Sequence, residues 1–73
     1  MSLYTHTISR NGKVEVEEIV LTHEDKAIVL REDLTNPEKI ILEIHTKTSK
    51  ATATLPKRAL RKLAEIILSK TKN

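Results

Sequence analysis

Apolar and polar residues alternate along the first three quarters of the chain, at the period of two that belongs to half-buried strands. Tyr4, His6 and Ile8 fall on one side of the first run, and Leu3, Thr5 and Thr7 on the other. Asn11-Gly12 follows. This dipeptide accepts the positive φ angles of a type I′ turn, so it predicts a tight hairpin. Val14 and Val16 then alternate with Glu15 and Glu17, but Ile19 and Leu21 are in the opposite phase. A bulge or bend near Glu17-Glu18 would reconcile the two halves.

His23-Glu24-Asp25-Lys26 reads as the next turn, and Ala27 to Arg31 as a third strand with Ile28, Val29 and Leu30 at its centre. Leu34-Thr35-Asn36-Pro37-Glu38 supplies another turn, where Pro37 removes a backbone donor. Ile40, Leu42 and Ile44 then alternate with Ile41, Glu43, His45 and Lys47, which predicts a fourth strand with one face buried. Thr48-Ser49-Lys50 either turns the chain into a short fifth strand, Ala51 to Thr54, or lies within one long bent strand over 39–54; the turn is the preferred reading.

Periodicity changes at Pro56, which suits a first helical turn because its missing N–H would be unpaired there. Leu60, Leu63, Ala64 and Ile67 form a stripe at helical spacing, and the helix is expected over about Pro56 to Lys70. Ile66 and Leu68 widen that stripe. Either the whole stripe faces the sheet, or its surplus edge packs on a second copy through Leu63, Ile66, Ile67 and Leu68. The expected fold is α+β: an antiparallel sheet of four or five strands, followed by one C-terminal amphipathic helix in a single small domain.

Composition narrows the chemistry. The chain has 73 residues and no cysteine, so disulfides and thiolate metal sites are excluded. A domain of this size sits near the limit for independent folding, and oligomerisation is the staple still available. A homodimer is therefore expected. Gly12 is the only glycine, which excludes a glycine-rich phosphate loop. His6, His23 and His45 show no metal-ligand spacing, and Glu17-Glu18 and Glu24-Asp25 point to opposite strand faces rather than forming dyads. No serine stands in a nucleophile elbow. These absences predict a non-enzyme with no cofactor, no metal and no small-molecule substrate. No apolar run is long enough to span a membrane and the N-terminus lacks signal-peptide features, so a cytoplasmic location is expected.

Charge is the informative anomaly. The formal net charge of +3 conceals a polarised chain. Residues 1–46 carry five basic and nine acidic groups, net −4; residues 47–73 carry eight basic groups and the single acid Glu65, net +7. Lys57 and Arg58 stand in the first helical turn, where the macrodipole disfavours cations by roughly 0.3–1 kcal/mol each. Arg61 and Lys62 follow one turn later. A docked anion would reverse that penalty. Alternatively, these cations pair with Glu43 and other acids of the sheet.

The segment Ala51-Thr52-Ala53-Thr54-Leu55-Pro56, a strand running into a proline-started helix, together with Leu60, Leu63 and Ile67, resembles the PC4-like family of single-stranded DNA-binding transcription cofactors. The resemblance implies a sheet followed by one helix, dimerisation through that helix, and single-stranded DNA held by basic and aromatic residues. Tyr4 is the only aromatic residue, so phosphate contacts would dominate over base stacking. The expected function is nucleic-acid binding with little sequence preference, DNA or RNA, through Lys47, Lys50, Lys57, Arg58, Arg61, Lys62 and Tyr4. His6 and His45 are further residues to test on the sheet. The alternative is a small dimeric protein-interaction module whose basic helix face meets an acidic partner.

Overall fold

In the computed structural model, which describes residues 1–72, Asn11 (φ 53°) and Gly12 (φ 75°) make the tight turn between β1 (Ser2–Arg10) and β2 (Lys13–His23). Three more antiparallel strands follow, β3 (Lys26–Asp33), β4 (Lys39–His45) and β5 (Lys50–Pro56), then α1 (Lys57–Thr71). The strands form one meander in sequence order, β1-β2-β3-β4-β5. Every neighbour in the sheet is thus a neighbour in the chain.

The phase change in β2 is not a break at Glu17-Glu18, because its register with β3 runs without interruption from Val16 to His23. Ile8 pairs with Val16 and Ser9 with Val14, so the extra residue is Glu15. Its carbonyl accepts the N–H of Leu34 at 2.8 Å, which ties the bulge to the β3–β4 connection. Val16 and Val20 simply face one side of the sheet while Ile19 and Leu21 face the other. Residues 39–54 are two strands, but the turn is Thr46–Ser49, closed by the Thr46 N–H to the Ser49 carbonyl at 2.8 Å. Pro56 is the last residue of β5 and caps the helix in an extended conformation (φ −65°, ψ 150°), rather than starting it.

Registers define two faces, since directly opposed residues share one. The helix side carries Leu3, Ile19, Leu21, Ile28, Leu30, Ile40, Leu42, Ile44 and Leu55. The outer side carries Tyr4, His6, Glu18, Val20, Val29, Arg31, Glu43, His45 and Lys50. The expectation of a buried Ile40-Leu42-Ile44 face fails in the isolated chain. Ile44 is 46% exposed, whereas the two buried residues among those described, Val29 (7%) and Glu43 (5%), lie opposite each other on the outer side.

The physical reason is the position of α1. It packs chiefly on β5 and leans over the sheet without closing on it. An open apolar groove of about 630 Å³ separates Ile28, Leu30, Leu42 and Ile44 from Leu60, Leu63 and Ile67. The chain exposes 6076 Å², about 1,500 Å² more than the roughly 4,600 Å² typical of a compact 8.3 kDa monomer. Its radius of gyration of 13.6 Å likewise exceeds the roughly 11 Å expected of a compact chain of this length.

Candidate nucleic-acid interface

The β5–α1 junction concentrates free cations. Lys39 lies opposite Pro56 in the β4–β5 register, and Lys39, Pro56, Lys57 and Arg58 border one shallow depression beside Pro37 and Glu38. The Lys57 N–H donates to the Glu38 carbonyl at 3.1 Å, and its Nζ pairs with Glu32 Oε2 at 2.6 Å. Lys57 therefore anchors the helix start to β3 and to the β3–β4 connection, and its charge is already balanced. The sheet acid engaged is Glu32, not Glu43.

Among the described residues, Lys39, Arg58, Arg61 and Lys62 have no carboxylate partner. At about 100° per residue, Arg58, Arg61 and Lys62 share one arc on the side of the helix turned away from the apolar stripe, and Glu65 falls within that arc without pairing to any of them within 4 Å. Arg61 and Lys57 edge the groove itself. The first helical turn holds no acid and Pro56 makes no side-chain cap, so Glu32 offsets Lys57 from the sheet while Arg58 has no such partner against the unfavourable end of the dipole.

The other predicted site residues are elsewhere. Lys47 lies in the β4–β5 turn and Lys50 begins β5, so both sit at the far end of that strand. Seven residues of strand separate them from the helix start, about 20 Å at 3.3 Å per residue. Tyr4, 53% exposed, lies on β1 at the opposite edge of the sheet. Its row runs through Val20, Val29 and Glu43 to Thr52, four strand spacings or about 19 Å. The predicted set is thus brought together only at Arg58, Arg61 and Lys62, with Lys57 engaged. Lys39 is the residue that sequence reasoning missed, because only the β4–β5 register places it there. Of the predicted helix contacts, Leu63 and Ile67 line the groove, and Ile66 and Leu68 lie outside its lining.

A second cluster crosses the outer face. Arg31 donates through Nη2 and Nε to Glu18 Oε2, at 2.7 and 2.9 Å, and through Nη1 to Glu43 Oε2 at 2.7 Å. His6 Nδ1 lies 3.1 Å from Glu18 Oε1, and His45 Nε2 lies 2.9 Å from Glu43 Oε1. His6 and Arg31 hold the Glu18 carboxyl below its ordinary range, and His45 and Arg31 do the same for Glu43. Both carboxylates push the Arg31 guanidinium upward. This ladder explains how Glu43 tolerates burial, since a desolvated charge needs paired partners. Its members satisfy one another, and no group of three or more His, Asp or Glu among the described residues is arranged to hold a metal ion.

No helix of the described residues is long and apolar enough to cross a membrane. Comparison with protein-family models, with curated proteins and with solved structures gives no match.

Proposed function

We propose that this chain is a non-enzymatic, cytoplasmic nucleic-acid-binding domain that holds the phosphate backbone at the β5–α1 corner. The observation that carries the reading is that Lys39 and Arg58 border one depression, Arg61 edges the adjoining groove and Lys62 follows on the helix arc of Arg58, all four without carboxylate partners. Fixed cations that gather at such a cost in mutual repulsion are stabilised by a polyanion, and phosphate contacts supply most sequence-independent affinity. The resemblance of the strand-to-helix segment to the PC4-like family leads to the same reading, with single-stranded DNA as its substrate. Tyr4 stands apart from the corner, so base stacking contributes little and sequence preference is weak.

The domain acts as a homodimer in which a second copy covers the groove between α1 and the sheet. Surface area supports this. A standard interface removes about 800 Å² from each partner, and the chain exposes well beyond that in excess, with Leu63 and Ile67 directed at an unfilled apolar space.

The test is a gel-shift series with single-stranded DNA, double-stranded DNA and RNA, each at 50 and 200 mM salt. Binding that weakens steeply with salt is the expected result. Absence of binding to all three at low salt overturns the proposal, and capture of a specific acidic protein partner would establish the alternative, an interaction module.

A further inference from the structure

The free edge of β1 is unlike the other edge of the sheet. At β5, Lys50 begins the strand, Pro56 ends it without an N–H, and the helix packs alongside. These are the usual means of keeping an edge from pairing. β1 has a terminal cation, Arg10, but neither a proline nor a covering helix. From Ser2 to Ser9 it contains no formal charge and no proline, and Arg10 comes only at its end. All nine residues are exposed, including Leu3 at 70%. Its register with β2 is unbroken from Ser2 to Ile8, because the bulge that would twist an edge away falls on Glu15 of β2. β1 is therefore an edge strand, paired on one side only, that offers its outward backbone N–H and C=O groups along an unbroken register from Ser2 to Ile8.

We propose that β1 pairs with β1 of a second copy, antiparallel about a two-fold axis at His6, to make a continuous ten-stranded sheet. The sequence of β1 is complementary to itself in this register. Tyr4 meets Ile8 on the outer face, an aromatic against a β-branched residue, which is a favourable cross-strand pair. Thr5 meets Thr7 and Leu3 meets Ser9 on the helix side, while Arg10 meets the neutral Ser2. His6 lies against its symmetry mate, with each ring already held by Glu18 at 3.1 Å. A two-fold axis normal to the sheet preserves its faces, so the two helix sides become one surface and both basic corners remain open at its ends.

The surface accounting favours a second copy over an unrelated peptide. The excess of about 1,500 Å² per chain is nearly twice what one standard interface takes from each partner. Covering the groove leaves a comparable share unexplained, and the most exposed large apolar side chains outside the helix region are Met1, just before β1, and Leu3, Tyr4 and Ile8 within it. This inference does not rest on nucleic-acid binding, and the excess area is shared between the β1 edge and the groove interface.

Charge placed at Thr5 and Thr7 tests it, because the register opposes these two exposed positions twice across the axis. Thr5→Lys with Thr7→Lys puts lysine against lysine in both places, and Thr5→Glu with Thr7→Lys puts glutamate against lysine. Sedimentation or light scattering over a concentration series reads the outcome, with circular dichroism confirming the fold of each variant. The double-lysine variant should associate at least about tenfold more weakly than the parent, and the Glu/Lys variant should regain the loss. Equal association of all three proteins, or a Glu/Lys variant as weak as the double-lysine one, overturns the proposal. So does a parent that is monomeric throughout. An Ile67→Lys variant read alongside reports on the groove alone: its effect on mass is separate from the charge-pair response, so either interface can fail without the other.

Discussion

The proposed interface makes a quantitative claim about salt. If Lys39, Arg58, Arg61 and Lys62 each neutralise one phosphate of a single strand, the slope of log K against log salt is about −0.7 for each, or about −2.8 in all. Affinity then falls about 50-fold between 50 and 200 mM salt by the same relation. Replacing Arg61→Gln and Lys62→Gln removes two contacts without introducing repulsion. Both side chains are exposed and unpaired, so the fold has little to lose. The remaining slope is about −1.4, and the same change in salt costs only about sevenfold. Fluorescence anisotropy with a labelled oligonucleotide, titrated at four or five salt concentrations, measures both slopes. Lys57→Gln is the informative control. Its Nζ is engaged with Glu32 at 2.6 Å, so it should change the slope less than Arg61→Gln does. An unchanged slope in the double variant refutes the reasoning. So does a slope that responds to Lys47→Gln and Lys50→Gln instead, since these lie at the far end of β5.

Three further outcomes follow from the packing. Val29→Ala removes a buried side chain facing Val20 and Glu43 and should lower stability by roughly 1.5–3 kcal/mol in chemical denaturation. Ile44→Ala, at a position 46% exposed, should cost much less in a dilute monomer and more at concentrations where a second copy covers the groove. Equal, concentration-independent losses for the two variants would contradict the groove dimer. The ladder makes stability depend on acid: Glu18 and Glu43 have lowered native pKa values against an ordinary value of 4.5, so their contribution is present above that pH and is lost as pH falls below it. Arg31→Met should lower the melting temperature at neutral pH and make its fall in acid shallower, because each carboxylate then keeps only its histidine, His6 or His45, to hold its charged form; parallel melting curves would refute this.

Much of the ladder was legible in principle. A two-residue turn at Glu24-Asp25 necessarily sets residue 18 opposite residue 31, which the register confirms. Glu18 between Val16 and Val20, Arg31 beside Val29 and Glu43 beside Ile41 are charged residues on a strand face whose nearest same-face neighbours are apolar, and that is the available signal. Glu43 was harder to find, since the five-residue connection 34–38 leaves the β3–β4 register open, and the observed register brings it to Arg31 only diagonally. The site was less legible than the fold. The charge split marks the helix start as unusual, but it groups Lys47 and Lys50 with residues about 20 Å away, and the family resemblance adds Tyr4 from the opposite edge of the sheet.

Local chemistry determined the meander of strands and the single helix. The Asn11-Gly12 turn, the period-two alternation and the stripe at Leu60, Leu63, Ala64 and Ile67 act within a few residues and do not depend on distant partners. What only the tertiary structure decided is where those faces come to rest. Alternation marks a face as apolar but does not say whether anything closes over it. Here α1 stands off the sheet, and burial moves to Val29 and Glu43 on the other side. Register, likewise, sets Lys39 beside Arg58 and leaves β1 an unguarded edge. Both are consequences of how strands slide and pack against one another, and those are long-range terms that no local pattern contains.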